Sequence, residues 1–297
     1  MRLLVTGQNG QVARSLAALG GEDLQVVALG RDVLDITDRD AVDRALAAHH
    51  PQIVVSAAAY TAVDKAETDV EAAFAANRDG AANVAAAAAA LDLPVIHLST
   101  DYVFSGDKPT PYLETDPTGP RSIYGRSKLA GEQAVLAANP KAVVLRTAWV
   151  YSPYGANFLK SMLRLAGDRD VLRIVADQYG TPTYAPDIAA AIVDIARTAL
   201  DAVDAHEWRG LFHMVATGET NWAGFAEEIF RVSAEHGGVS AGVEPIATAD
   251  YPTAAVRPAN SRLDTTKFAN VFGRSLPDWQ SGVRRCLTAL RASDPAG

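Results

Sequence analysis

Leu3-Leu4-Val5-Thr6-Gly7-Gln8-Asn9-Gly10-Gln11-Val12-Ala13 stands almost at the start of the chain, and its reading decides the fold. A short apolar run of strand character passes directly into two glycines, and a helical pattern starts at Gln11. Glycines placed there permit a tight turn and a close approach of backbone to a pyrophosphate. The phosphate charge is favoured at the N-terminus of the helix that follows. The spacing is G-x-x-G-x-x-A, shorter than the usual G-x-G-x-x-G, with small Ala13 where helix and strand pack most closely. Dinucleotide binding is expected, with Gly7, Gln8, Asn9, Gly10, Gln11 and Val12 against the cofactor.

Outward from this turn, short β-rich runs alternate with helical segments. Leu3 to Thr6, Gln25 to Leu29, Ile53 to Ala57, Val95 to Ser99 and Ala142 to Arg146 read as buried strands. Helices are predicted over Gln11 to Ala18, Arg39 to Ala48, Val70 to Leu91 and Ser127 to Ala138. Continuous apolar strands separated by helices indicate an α/β protein whose parallel sheet is covered on both faces, a doubly wound Rossmann-type arrangement. Strands at Leu172 to Ala176 and Leu211 to Val215 follow, with helices over Phe158 to Leu165, Pro186 to Ala199, Trp222 to Ala234 and Trp279 to Leu290. Residues 1–150 are therefore read as the NAD(P)-binding domain. Residues 151–297, richer in turn residues, are read mainly as a smaller substrate-binding lobe with segments returning to the sheet. Residues 293–297 read as a loose tail.

Composition narrows the function. The chain has 297 residues, 48% of them hydrophobic and 21% charged, which suffices for a substantial core. A formal net charge of -8 argues against general nucleic-acid binding, which needs a concentrated basic surface. It leaves room for an anionic small ligand held by a few arginines and backbone amides. Cys286 is the single cysteine, so no intrachain disulfide can form, and it reads as structural. No apolar run is long enough to cross a bilayer or serve as a signal peptide, so a cytoplasmic protein is expected. The histidines are scattered apart from His49 and His50, and no metal cluster is read.

Two further places carry chemistry. The end of the second strand selects between cofactors: an acidic residue there accepts ribose hydroxyls, whereas an arginine accommodates a 2'-phosphate. The chain offers Arg31 followed by Asp32, and Arg31 at the strand tip favours NADPH, with NADH still open. Tyr124-Gly125-Arg126-Ser127-Lys128 places a phenol and an ammonium one helical turn apart, on one face. A free tyrosine titrates at about pH 10, and a nearby ammonium is expected to favour its phenolate. Alone, Y-x-x-x-K is a weak signal, and a partly buried core tyrosine would look the same.

The combination is more specific. The glycine turn is joined by Leu34-Asp35-Ile36-Thr37-Asp38, by Ala57-Ala58-Ala59-Tyr60-Thr61-Ala62-Val63-Asp64-Lys65-Ala66-Glu67, and by Ser99-Thr100-Asp101-Tyr102-Val103-Phe104-Ser105-Gly106. Further on come Arg146-Thr147-Ala148-Trp149-Val150-Tyr151, Asp177-Gln178-Tyr179-Gly180-Thr181-Pro182-Thr183 and Arg257-Pro258-Ala259-Asn260-Ser261. Through most of its length the chain resembles the dTDP-4-dehydrorhamnose reductases, extended short-chain dehydrogenase/reductases. The resemblance implies reduction of the C4 ketone of a dTDP-4-keto-6-deoxy sugar to dTDP-L-rhamnose with NAD(P)H. It implies Tyr124 as proton donor, Lys128 as the group that lowers its pKa and holds the nicotinamide ribose, and Thr100 as a hydrogen-bond donor to the carbonyl. Asp35, Ile36, Ala58, Ala59 and Tyr60 would complete the cofactor site. Asp101, Trp149, Asn157 and Arg257 would contact the sugar nucleotide, with Asn260 and Ser261 as weaker candidates.

Two departures matter. Ser56 stands where many relatives carry asparagine, which could loosen a local hydrogen bond. Ser15 replaces a glutamate that some relatives use to hold Mg²⁺ at a dimer interface, which puts the metal and that homodimer in doubt. The catalytic set is equally compatible with a reductase of opposite stereochemical outcome, giving for example a 6-deoxytalose. A non-catalytic NADP-binding subunit, similar to the beta subunit of methionine adenosyltransferase, is the alternative of a different class.

Overall fold

The computed structural model describes residues 1–202 and 206–293, so most of the tail read at 293–297 lies outside the described residues. Its first half contains β1 (Arg2–Thr6), α1 (Gln11–Ala18), β2 (Gln25–Leu29), α2 (Arg39–His49) and β3 (Ile53–Ser56). Next come α3 (Val63–Ala66), α4 (Val70–Phe74), α5 (Ala81–Ala90), β4 (Val95–Thr100), α6 (Ile123–Ala138) and β5 (Ala142–Thr147). Then follow β6 (Val150–Tyr151), α7 (Phe158–Ala166), β7 (Val171–Val175), β8 (Tyr179–Gly180), β9 (Thr183–Tyr184), α8 (Ala185–Asp201) and β10 (Gly210–His213). The last elements are β11 (Thr220–Asn221), α9 (Trp222–Glu235), β12 (Gly242–Ile246), α10 (Thr266–Phe272) and α11 (Trp279–Ser293).

Six strands form one parallel sheet in the order β10-β5-β4-β3-β1-β2. The chain winds outward in both directions from the β1/β3 boundary, and such a switch point leaves a crevice at the carboxyl ends of the strands. On one face, Val12, Ala13 and Leu16 of α1 bury against Ile188 and Ile192 of α8. On the other, Val42 and Leu46 of α2 pack with Val84, Ala85 and Ala88 of α5. A separate core gathers Leu159, Phe225, Ile229, Val283 and Cys286 from α7, α9 and α11. The second half is thus divided: α8, β10 and Phe268 of α10 join the sheet and its core, while α7, α9 and α11 form a smaller lobe.

Several elements differ from their sequence reading, among them α10 and the short strands β6, β8, β9 and β11, which were not read. The single helix expected over Val70 to Leu91 is interrupted by a π-helical turn at Ala75–Gly80. The turn accommodates α6, for a Cβ on Gly131 would lie 2.0 Å from the Asn77 carbonyl oxygen. Helix α6 starts at Ile123 rather than Ser127, because the Ser122 hydroxyl accepts from the Gly125 N–H at 3.1 Å and caps it. Tyr124 is consequently a helical residue. Strand β12 pairs with β7 in parallel, although it was not read as a strand. It is mostly exposed and contains Pro245, so it lacks both apolar alternation and ordinary strand composition.

Candidate active site

Gly7 ends β1 with φ +82°, and a Cβ there would meet the Ala58 Cα at 2.9 Å. Only glycine serves both the left-handed backbone and the close approach. Thr6 fixes the same corner, its hydroxyl accepting from the N–H groups of Ala57 and Ala58 at 3.1 and 2.9 Å. Helix α1 begins after Gly10 without a side-chain cap and without an acidic residue in its first turn. Its leading amides are therefore suited to a phosphate, and the turn fits a dinucleotide.

The predicted cofactor residues separate into different roles. Gly7, Gln8, Asn9 and Gly10 form the turn, while the Val12 side chain lies in the core. Gln11 reaches across to the smaller lobe: its Nε2 donates to the Val150 carbonyl, and its Oε1 accepts from Ser152 and Asn157. Asn157, expected at the substrate, instead caps α7 and joins this Gln11 cluster, its amide shared between Gln11 and the Ser152 carbonyl. Arg31 is 85% exposed at the end of β2 and pairs with Asp35 at 3.1 Å. Asp35 also accepts from the Thr37 N–H and hydroxyl, contacts that hold its carboxyl below the usual range. The Ile36 side chain is buried against Gly80, so only its backbone is available to a ligand.

Ala58, Ala59 and Tyr60 continue from β3 beside the glycine turn. Asn77, in the π-helical turn, holds this segment through both Tyr60 backbone groups at 2.8 and 3.0 Å. Its Nδ2 also donates to Ser127 of α6 at 2.9 Å. The sequence reading missed Asn77. Its burial is a tertiary fact with no signal in the sequence, where Arg78 and Asp79 follow it directly; π turns often mark functional positions.

Thr100 and Asp101 lie where β4 gives way to a short 3₁₀ turn, facing Tyr124 on α6. Gly125 permits this approach, for a Cβ at that position would stand 2.2 Å from the Tyr102 carbonyl oxygen. The Tyr102 and Tyr124 rings meet edge to face, 5.5 Å apart. The Thr100 hydroxyl accepts from the Tyr102 N–H at 3.2 Å and donates to Asp101 Oδ1 at 3.0 Å. Asp101 is buried, and its Oδ2 has no hydrogen-bond partner within the protein. Burial raises its carboxyl to about 6, opposed by the hydroxyls of Ser261 and Thr100.

The structure corrects one electrostatic expectation. Tyr124 is held above its ordinary pKa by burial, with the Thr100 hydroxyl pulling the other way. Lys128 is turned toward β4, donating to the Leu98 carbonyl at 2.6 Å with His97 Nε2 at 3.4 Å. Burial lowers the lysine to about 8, opposed by Glu132. The phenol is therefore protonated at rest, and the expected lowering by Lys128 is not seen in the free protein. Behind the lysine, Glu132 forms a buried two-pronged ion pair with Arg146 at 2.9 and 2.7 Å.

The remaining candidates frame the other side of the crevice. Trp149 has φ +50° and stacks on Trp222 with ring centroids 3.7 Å apart. A Cβ on Gly180 would lie 2.5 Å from the Trp149 ring. Arg257 donates to the Tyr102 hydroxyl at 2.9 Å and pairs with Asp64 at 2.6 Å. Asn260 holds the loop by donating to the carbonyls of Lys108 and Thr110.

This site belongs with relatives of the same architecture. The RmlD substrate binding domain family matches residues 1–292. The chain belongs to the dTDP-4-dehydrorhamnose reductase family. It is 53% identical over 290 residues to the dTDP-4-dehydrorhamnose reductase of Sinorhizobium fredii, covering 98% of both chains. The crystal structure of dTDP-4-dehydrorhamnose reductase from Bacillus anthracis in complex with NADP is similar at TM-score 0.90 and 35% identity, with 97% of this chain and 99% of that chain covered. A dTDP-4-dehydrorhamnose reductase structure from Clostridium acetobutylicum gives TM-score 0.88 at 36% identity, over 98% of this chain and 100% of that chain. Membership of the reductase family agrees with the Rossmann sheet and the glycine turn. Among the described residues, no helix is long and apolar enough to cross a membrane.

Proposed function

We propose that the chain reduces the C4 ketone of dTDP-6-deoxy-L-lyxo-4-hexulose to dTDP-L-rhamnose with NADPH, the last step of dTDP-rhamnose synthesis. The observation that carries the reading is the approach of the Thr100 hydroxyl to Tyr124, one helical turn from Lys128 on α6. When bound, reduced nicotinamide supplies the hydride for the ketone carbon. Tyr124 holds a proton at neutral pH and gives it to the carbonyl oxygen as that oxygen becomes an alkoxide. At rest the Thr100 hydroxyl donates to Asp101 Oδ1; turned to the substrate oxygen, the same O–H would donate a hydrogen bond where negative charge develops, while the transferred proton comes from Tyr124 alone. Lys128 supplies a cation behind the phenol, offsetting the phenolate left after proton transfer.

The glycine turn and capless α1 would hold the pyrophosphate, and Arg31 would meet the 2'-phosphate. On the sugar-nucleotide side, Asp101 Oδ2 is an unspent acceptor. Arg257 has a guanidinium suited to the diphosphate. Trp149 would wall the sugar from its stacked position. Cytoplasmic placement agrees with a chain carrying one cysteine and a nicotinamide site. Ser15 is buried, with its hydroxyl on the Gln11 carbonyl. A homodimer would therefore not bridge a metal through that residue, and light scattering measures whether two copies pair.

Incubation with the keto-sugar nucleotide and NADPH, followed by NMR of the product, tests the assignment. dTDP-L-rhamnose is expected. A 6-deoxytalosyl product would overturn the stereochemistry, and absence of NADPH consumption would overturn the activity.

A further inference from the structure

His97 lies in the middle of β4 and is fully buried, yet it has polar contacts on both sides of its ring. Its Nδ1 lies 3.1 Å from Ser56 Oγ on β3, the residue directly paired with it in the sheet. Its Nε2 lies 3.4 Å from Lys128 Nζ on α6. An ammonium has hydrogens to give and no lone pair, so Nε2 must accept and Nδ1 must carry the ring proton. Ser56 Oγ is then the acceptor that fixes this tautomer.

We propose that His97 is a positioning residue for Lys128, its neutral ring held by Ser56 in the Nδ1–H tautomer so that Nε2 receives one ammonium hydrogen. The Leu98 carbonyl receives a second, at 2.6 Å. One of the three donors is then left over for the nicotinamide ribose. A four-carbon side chain would otherwise sample many directions. The neighbouring charges agree with a neutral ring: Lys128 faces it from α6, and Glu132, one turn farther on, is already neutralised by Arg146 from β5. Burial and Lys128 both push the His97 pKa well below the ordinary value.

The inference rests on the role proposed for Lys128, and its test separates the two. In ¹⁵N-labelled protein, ring-nitrogen spectra should show His97 protonated at Nδ1 and bare at Nε2. Replacement of Lys128 by Met should move the Nε2 signal. A proton on Nε2 in the unsubstituted protein would overturn the proposal without recourse to any His97 variant. His97→Leu should lower kcat about tenfold, the cost of one hydrogen bond to a charged group. It should also weaken NADPH binding measured by titration, and bring the alkaline fall of kcat to lower pH, because the ammonium loses an acceptor. His97→Gln, which retains an acceptor at the Nε2 position, should recover most of each loss. Normal turnover and cofactor affinity in Lys128→Met would remove the reading of Lys128 itself. An inactive Lys128→Met beside an unaltered His97→Leu would remove the role of His97 alone.

Discussion

Gly125→Ala should separate catalysis from cofactor binding. The added Cβ would lie 2.2 Å from the Tyr102 carbonyl oxygen, whereas ordinary contact begins near 3.4 Å. Helix α6 and the Thr100–Tyr102 turn must therefore part by about 1 Å, since both contacting groups are backbone and neither can rotate away. Overpacking of this kind costs about 1–3 kcal/mol in stability, which a chain with two substantial cores can absorb. The consequence for chemistry is larger. Tyr124 immediately precedes Gly125, and a displacement of about 1 Å at a reacting group can cost about 10²-fold in rate. The glycine turn lies across the crevice and is untouched, so NADPH affinity should fall by much less than kcat, the loss coming only through Lys128 on the same helix. Steady-state NADPH oxidation would give kcat, and fluorescence titration would give the cofactor Kd. A folded Gly125→Ala variant with parental kcat would refute the claim that the contact sets the Tyr124–Thr100 geometry.

Other substitutions test neighbouring parts of the site. Tyr124→Phe should keep NADPH affinity while lowering kcat by about 10²-fold or more, and near-normal turnover would remove Tyr124 as proton donor. Arg31→Ala should weaken NADPH more than NADH in parallel titrations, because the exposed guanidinium is otherwise held only by Asp35; equal losses would exclude recognition of the 2'-phosphate. Asp101 gives a pH signature. Its folded pKa of about 6 lies above the unfolded value, so the folded state binds the extra proton, and stability falls as pH rises from about 4 through 6. The penalty is present in full above that range and amounts to about 3 kcal/mol. Asp101→Asn should flatten that segment of a denaturation-versus-pH profile, and an unchanged slope would show that Asp101 does not titrate there.

Much of the sheet was legible, and the proposed catalytic residues could be named, because both depend on local pattern. β1 and the Gly7 turn announce themselves by composition, and Tyr124 and Lys128 by spacing. Spacing alone does not say where a flexible lysine points. Lys128 is drawn toward the Leu98 carbonyl, 30 residues away in sequence. The helix was read from Ser127, although the spacing of Tyr124 and Lys128 was read as one helical turn; the structure starts α6 at Ile123. Its cap, Ser122, and the close packing that selects Gly125 are tertiary facts. The same holds for Asn77, whose three partners lie on Tyr60 and Ser127.

The assignment of Asn157 and Arg257 exposes what a motif cannot resolve. Gln11 belongs to the nucleotide turn by sequence, yet its amide binds Val150, Ser152 and Asn157. The glycine turn is thus mechanically continuous with the start of the smaller lobe. Across the crevice, Arg257 joins its loop to Asp64 on α3, and the same carboxylate accepts from the Ala255 N–H at 3.1 Å. A diphosphate approaching Arg257 must share the guanidinium with Asp64 or displace it, since like charges repel. Substrate affinity through this arginine is therefore set by a competition between two anions, and cannot be read from the presence of Arg257 alone.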